Sequence, residues 1–362
     1  SCSGDSADAR AARSRELCAT RWGVYVAFPL DRDGTTAGLL RDPSGALDAC
    51  PWRRAGRGFD AGSLEGVPSS LLPEQTALDW DRIADFIRRP VSLTDAIALR
   101  GIETVTPGTL QALGAPSATA DILWRPRDFL APPPGSEADW LESLRTTVAS
   151  TVSASVAPYA AVITEVSGGL DSAIVGACLS QAGLGGRVRS ALNYAGDRHE
   201  GDESRWARDL CTATGLPLEV VPRTPYAYDM AADFAPLARD ARPAIHALDP
   251  WRDRDTACRL QAARAEALVT GAGGDPIFFQ IPTPLVLADL WRAQGARALG
   301  DRLAFDLARV LRRSVWSVAF DALHALRHPE SVTLETHPKF VGPRALVADP
   351  RPTAHPWLDG LE

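Results

Sequence analysis

The stretch Ala160-Ala-Val-Ile-Thr-Glu-Val-Ser-Gly-Gly-Leu-Asp-Ser-Ala-Ile-Val-Gly-Ala-Cys-Leu179 decides how the chain is read. Its first half ends at Val166, is rich in valine and isoleucine, and predicts a short buried strand. Its second half puts Leu170, Ile174 and Ala177 or Cys178 at helical spacing. Between them lies Ser167-Gly168-Gly169-Leu170-Asp171-Ser172. A glycine pair at a strand-to-helix junction lets backbone N–H groups turn toward one point, and the helix start adds partial positive charge there. That point suits a phosphate or pyrophosphate, which any Cβ would hold away from the backbone. Ser167 and Ser172 offer hydroxyl donors. Asp171 would repel a polyphosphate unless a cation lay between them, so it points to Mg²⁺. The loop is not of the Walker A type, because no Gly-Lys-Ser/Thr follows. The plainer alternative is a structural glycine turn with a capping Asp and Ser.

The rest of the composition sets bounds. The chain has 362 residues, enough for two domains, and 45% of them are hydrophobic, as in a globular protein. A formal net charge of -7 argues against nonspecific nucleic-acid or anionic-membrane binding. Lys339 is the only lysine, so nearly all positive charge is arginine. No apolar run reaches membrane-spanning length, and Ser1 to Arg15 lack a signal-peptide core. The cysteines (Cys2, Cys18, Cys50, Cys178, Cys211 and Cys258) show no metal spacing, and a reduced, cytoplasmic setting is expected.

In chain order, a loop and an Ala/Arg-rich helix are expected up to Leu17, then a hairpin over Trp22 to Leu40 turning at Asp31-Arg-Asp-Gly34. Arg41-Asp-Pro-Ser-Gly45 reads as a turn, and Arg54 to Pro73 as a Gly/Pro/Ser-rich loop. Asp79 to Arg88 reads as an amphipathic helix, and Ile102 to Gly108 as a strand and turn. Pro132-Pro-Pro-Gly135 sets the expected boundary between a domain over 1–134 and another over 135–362. The second should hold a helix over Ser136 to Ser155 and strands ending at Val166, Tyr194, Val221 and Thr270. Further helices are expected at Asp202 to Thr214, Ala257 to Ala265 and in Leu285 to Leu326. Tyr226 to Asp255 has no clear period and reads as a long loop with helical pieces. Strands alternating with helices imply a doubly wound, mostly parallel sheet, hence an α/β protein.

The fourth strand runs into Gly271-Ala-Gly-Gly-Asp-Pro-Ile-Phe-Phe279, again glycines and an Asp at a strand's carboxyl end, where open parallel sheets bind ligands. Asp275 offers a second carboxylate to Mg²⁺, opposite Asp171. Ser-Gly-Gly-Leu-Asp-Ser resembles the pyrophosphate loop of the N-type ATP pyrophosphatases, and both motifs together resemble the asparagine synthetase superfamily. Arg21-Trp-Gly-Val-Tyr-Val-Ala-Phe28, Leu40-Arg-Asp-Pro-Ser-Gly45 and Thr104-Val-Thr-Pro-Gly108 look like pieces of that family's glutaminase-type (Ntn-like) β-rich domain. The resemblance covers about Arg21 to Arg327. Within it, the Arg-Asp-Pro-Ser-Gly turn, the Gly-x-Gly-Gly-Asp loop, Phe278-Phe279, Pro284-Leu-Val-Leu-Ala-Asp289 and His355-Pro-Trp-Leu358 look like those of the lasso peptide cyclases. Those enzymes adenylate an Asp or Glu side chain of a precursor peptide, and the peptide's own N-terminal amine closes an isopeptide ring.

The resemblance implies that ATP and Mg²⁺ are used, that Ser167 to Ser172 bind pyrophosphate, and that Asp171 and Asp275 hold the metal and serve catalysis. It places adenosine against the backbone near Val166, Leu192, Asn193 and Gly271, with Gly273 and Gly274 completing the second loop. It implies a precursor peptide as substrate and a leader peptidase and leader-binding protein as partners, with neither nucleic acid nor membrane. A working glutaminase needs cysteine as its first residue. Here Ser1 precedes Cys2 and Ser3-Gly-Asp-Ser6 replaces an apolar strand, so the first domain is expected to be a degenerate scaffold. Ala272 stands where asparagine synthetases carry Glu and β-lactam synthetases Tyr. The family's further acid/base and lysine positions are expected beyond Glu362. The alternatives are an asparagine synthetase-like or β-lactam synthetase-like ligase on a small molecule, a small adenylating ligase of the NAD or GMP synthetase type, or a non-catalytic nucleotide-binding subunit.

Several residues read more plainly as structural. Asp202-Glu203 favours a helix N-terminus, His199 is solvated, Arg309 to Arg313 forms a solvated helix face, and the tryptophans belong to the core. Glu165, one residue before Val166, would need a partner if buried.

Overall fold

A computed structural model describes residues 7–31, 33–64, 66–88, 97–112, 120–129, 131, 133–196, 202–223, 227, 229–234, 249–277, 283–295, 297 and 301–328. Its described residues fall into two compact units. One takes those before Pro133 together with 229–234, and the other those within Pro133–Tyr228 and Asp249–Thr333.

The first unit begins with α1 (Ala7–Thr20) and a four-stranded antiparallel sheet in the order β1 (Val26–Ala27), β2 (Gly38–Arg41), β7 (Thr109–Ala112), β8 (Asp121–Ile122). Two further pairs stand beside it, β3 (Cys50–Arg54) with β4 (Arg57–Ala61), and β5 (Ala77–Leu78) with β6 (Leu99–Arg100), with α2 (Trp80–Arg88) between β5 and β6. Ala11, Leu17 and Cys18 of α1 pack on Leu40, Leu110 and Leu123, while Leu39, on the opposite side of β2, meets Ala49 and Val105.

The two turns quoted from this unit meet each other. A Cβ at Gly45 (φ 61) would come 2.6 Å from Pro107 Cγ, and Gly108 N donates to Arg41 O at 3.1 Å. Arg41 is only 1% exposed. Its guanidinium donates to the carbonyls of Leu47, Val105 and Gly45, each at 2.7 Å, and to Asp48 Oδ1 at 2.8 Å. A buried guanidinium costs several kcal/mol of desolvation unless its N–H groups are matched in this way. The Arg-Asp-Pro-Ser-Gly turn is therefore built around a structural pin.

The second unit holds α3 (Glu137–Val156), β9 (Val162–Glu165), α4 (Leu170–Gln181), β10 (Val188–Ala195), α5 (Ser204–Thr214) and β11 (Leu218–Pro222). After α6 (Met230–Phe234), which groups with the first unit, come α7 (Pro250–Ala263), β12 (Ala267–Val269), α8 (Gly274–Ile277), α9 (Pro284–Gln294), α10 (Leu303–Leu311) and α11 (Val315–Arg327). Four parallel strands lie in the order β11-β10-β9-β12. Alternate residues serve opposite faces. Val162, Val188 and Ala191 pack with Val156, Leu179, Ala207 and Cys211 of α3, α4 and α5. Ile163, Leu192 and Val221 pack with Trp251 and Leu260 of α7. Helices cover both faces, as expected of an α/β doubly wound sheet. Helices α9, α10 and α11 close a separate core around Leu287, Leu307 and Val318. Burial pushes the Cys178 and Cys211 thiols up, as befits inert core residues. Among the described residues no helix is long and apolar enough to cross a membrane.

Five expectations are corrected. The loop over Arg54 to Pro73 contains β4, which pairs with β3 through a two-residue turn at Ala55 (φ 49) and Gly56 (φ 76). Alanine seldom takes that conformation, so the turn signal was weak. The strand expected over Ile102 to Gly108 is reduced to an isolated bridge between Ile102 and Trp52, with Glu103 N and Val105 N donating to Pro51 O and Ala49 O at 3.0 and 2.9 Å, and the regular strand is β7, after the turn. The helix expected from Ala257 starts at Pro250, where Asp249 accepts from Arg252 N at 3.2 Å and proline occupies the first turn. On α5 the buried positions are Ser204, Ala207 and Cys211, and Trp206 lies outward beneath the Arg205 guanidinium. Trp22, Trp80, Trp140, Trp206 and Trp316 are exposed rather than core, and on α11 the buried positions are Val318 and Ala322, a face that Trp316 does not share. The readings of Cys2, Ser3 to Ser6, His199, Phe278-Phe279, Lys339 and His355 to Leu358 fall outside the described residues.

Asp60 on β4 makes the first unit pH-sensitive. Its Oδ1 is buried without a hydrogen-bond partner among the described residues, and burial pushes the carboxyl up from 3.8 to about 6. The folded value lies above the unfolded one, so the stabilisation is complete below the unfolded value and is lost as pH rises through the folded one. The urea midpoint of the wild type should therefore fall between pH 4 and pH 7.5. Asp60→Asn should flatten that slope and raise the midpoint at pH 7.5. An unchanged slope in the variant would assign the pH dependence elsewhere.

Candidate active site

In the strand order β11-β10-β9-β12, the direction of chain progression reverses beside β9. Helix α4 leaves β9 on one face of the sheet, and α7 enters β12 on the other. The loops that follow β9 and β12 therefore emerge side by side at the carboxyl edge, with a crevice between them. An open cleft of about 450 Å³ lies there, a size suited to a small molecule.

Its first wall is Ser167 to Ser172. Gly168 has φ 101, and a Cβ there would lie 2.6 Å from both Cβ and O of Glu203, so this position is closed to side chains. Gly169 is the N-cap of α4, and no side chain caps it, which leaves the first N–H groups of the helix without an internal partner. The two serines are engaged with the loop itself. Ser172 Oγ donates to Gly169 O at 3.0 Å and accepts from Ser167 N at 3.1 Å, and the two hydroxyls are 3.0 Å apart. They brace the turn whose backbone faces the cleft.

The second wall is Gly271 to Asp275. A Cβ at Gly271 would lie 2.5 Å from Ser172 N and 2.7 Å from Asp171 C, so backbone meets backbone. A Cβ at Gly274 would overlap the Asp171 carboxylate. Gly271 is needed for the second loop to close on the first, and a methyl group at Gly274 would displace the Asp171 carboxylate. Asp171 and Asp275 both line the cleft, with Ser167, Gly169, Leu170, Ser172, Gly271 and Gly273.

The other predicted residues stand behind this surface. Val166 and Leu192 are fully buried, and Val166 N donates to Leu192 O at 2.7 Å. Asn193 is 1% exposed, and its Nδ2 donates to Val166 O at 2.7 Å and Ser167 O at 3.1 Å. It fixes the loop's first carbonyls from below. Gly168 and Gly274 supply close approach rather than cleft surface.

Four lining residues were not singled out as site residues: Glu165, Glu203, Arg252 and Ala272. Glu165 has its partner in Arg252, whose Nη2 contacts Glu165 Oε1. Arg252 falls within Tyr226 to Asp255, where no clear period marks a helix, although Asp249-Pro250 is a helix-start signal. Glu203 was visible only as an acid at a helix start.

A family profile described as Asparagine synthase matches residues 139–349, more than half of the chain. The chain belongs to this family. Its members are ATP-dependent ligases. Among curated proteins no relative matches the chain. The matched span contains every residue that lines the cleft.

The glycines of this family member separate binding from folding. Gly169 has φ -78, and a Cβ there meets only Ser167 Oγ at 3.4 Å, an ordinary contact. Gly169→Val should keep its melting temperature within a few degrees and lose Mg·ATP binding by calorimetry. Gly271→Ala should destabilise the second unit by about 2 kcal/mol, because backbone must move to admit the methyl group. Equal nucleotide affinity in folded Gly169→Val would remove the Ser167–Ser172 loop from the site.

Proposed function

We propose that this ligase adenylates an Asp or Glu side-chain carboxylate of a precursor peptide and closes a macrolactam ring with the peptide's own N-terminal amine, as a lasso peptide cyclase. The observation that carries the reading is Ala272. In a cleft walled by both glycine loops it presents only a methyl group where small-molecule relatives are expected to carry Glu or Tyr. A site without that group depends more on positioning, and a peptide that carries both reacting ends supplies it.

In the reaction, a peptide carboxylate oxygen attacks the α-phosphorus of ATP, and the bond to pyrophosphate breaks. The acyl-adenylate is then opened by the amine, which loses a proton as AMP departs. The backbone N–H groups at the start of α4 hold pyrophosphate, with Ser167, Ser172 and Asn193 keeping that backbone in place.

The site also fits Mg²⁺. Gly274 lets the second loop close on the Asp171 carboxylate, and Asp275 follows it directly. Among the described residues no group of three or more His, Cys, Asp or Glu side chains converges to hold a metal alone. A cation here needs substrate phosphate oxygens to complete its shell, which is the habit of Mg²⁺. Asp171 and Asp275 would hold it, and it would neutralise charge on the departing pyrophosphate. The first unit serves as a degenerate glutaminase-like scaffold, and a leader peptidase and leader-binding protein deliver the peptide in the cytoplasm.

The test is a reaction of the protein with Mg·ATP and leader-free precursor peptide. It should yield AMP, pyrophosphate and a peptide lighter by one water, unaffected by glutamine or ammonia. Peptide with its reacting Asp or Glu changed to Asn or Gln should stay linear, and Asp275→Asn should slow turnover at least a hundredfold with little loss of stability. An amide formed from free ammonia, with no ring, would favour an asparagine synthetase-like ligase. The absence of ATP–pyrophosphate exchange would favour a non-catalytic nucleotide-binding subunit.

A further inference from the structure

The charges of the cleft are lopsided. Glu165, Asp171, Glu203 and Asp275 line it, and Arg252 is the one basic residue that does so among the described residues. The proposed reaction brings a polyphosphate and a carboxylate into this acidic space, and two negative groups must approach within bonding distance. Asp171 and Asp275 are matched by a divalent cation in that reading. The oxyanions on the reacting side need a further positive group.

Arg252 is held ready for this. Asp249, which accepts from Arg252 N, also pairs with Arg223, so the first turn of α7 is fixed at both its backbone and its cap. The Arg252 guanidinium contacts Glu165 through one nitrogen, Nη2, and stands 5.4 Å from the centre of the Tyr194 ring. Tyr194 is itself fixed, with its hydroxyl 2.6 Å from Thr256 Oγ1 and 3.0 Å from Asp255 Oδ2. Nε and Nη1 of Arg252 engage no described residue, and the side chain remains 43% exposed. With one nitrogen tied to Glu165 and the side chain lining the cleft, the guanidinium is a preorganised fork for an oxyanion. Glu165 ends β9, immediately before Val166 and the glycine loop, so it sets the fork beside the point where the phosphate chain is proposed to lie.

We propose that Arg252 binds an oxyanion of the reacting pair, either the α-phosphoryl group of the nucleotide or the carboxylate of the acyl donor, and that Glu165 positions it. This rests on the nucleotide reading of the cleft. Calorimetry on the full chain with AMP, inorganic pyrophosphate and N-acetyl-aspartate as probes separates the possibilities. Arg252→Gln should weaken AMP or N-acetyl-aspartate at least tenfold while pyrophosphate binding stays within twofold. Loss in the AMP arm identifies the α-phosphoryl group, and loss in the N-acetyl-aspartate arm the carboxylate. Arg252→Lys should recover part of the affinity, and Glu165→Gln should lose less than Arg252→Gln at an equal melting temperature. Unchanged affinity for both probes, an equal loss for pyrophosphate, or a wild type that binds neither AMP nor N-acetyl-aspartate would overturn the assignment. A wild type that does not bind pyrophosphate would instead count against the nucleotide reading itself.

Discussion

The second unit depends on one contact between two pieces of backbone. Gly271 comes so near the Asp171–Ser172 peptide that the smallest side chain would push them apart. The parallel register puts β12 directly against β9, so the loops after these strands start as neighbours. Glycine then decides how closely they meet. Gly274 extends the contact to the Asp171 carboxylate, and Gly168 makes a similar approach to Glu203. The walls of the cleft are set by places where a Cβ is forbidden, a stricter constraint than the apolar packing beneath them, which tolerates changes of similar volume.

Around that contact the polar groups divide their work. Ser167, Ser172 and Asn193 spend their hydrogen bonds inside the loop, so the backbone can present unsatisfied N–H groups without collapsing on itself. Glu165 and Arg252 satisfy each other across two elements, β9 and α7. A carboxylate at the edge of a buried strand would otherwise carry a large desolvation cost. Asp171, Asp275 and Glu203 keep the cleft acidic, which explains why any anionic ligand needs added positive charge there.

The first unit shows a different use of short motifs. Its Arg-Asp-Pro-Ser-Gly and Thr-Pro-Gly turns lock together, with the Arg41 guanidinium filling the space between them. In this unit both turns therefore serve folding, whatever chemistry the unit performs.

The sequence by itself determined the parallel α/β unit, because the strand and helix periods of the second half are local properties of the chain. It also marked both glycine loops, since a backbone that must approach another group closely can use only one residue type. It did not reveal the β3–β4 hairpin, whose turn carries alanine at a positive φ, or the full length of α7. Only the tertiary structure decided the partner of Glu165, because Arg252 is distant in sequence and meets it only once α7 has packed on the face of β9 that Ile163 also serves. It alone turned Asn193 and the two serines into braces and brought Glu203 against Gly168. Strand order and helix placement set those contacts, and neither leaves a local pattern in the residues that make them.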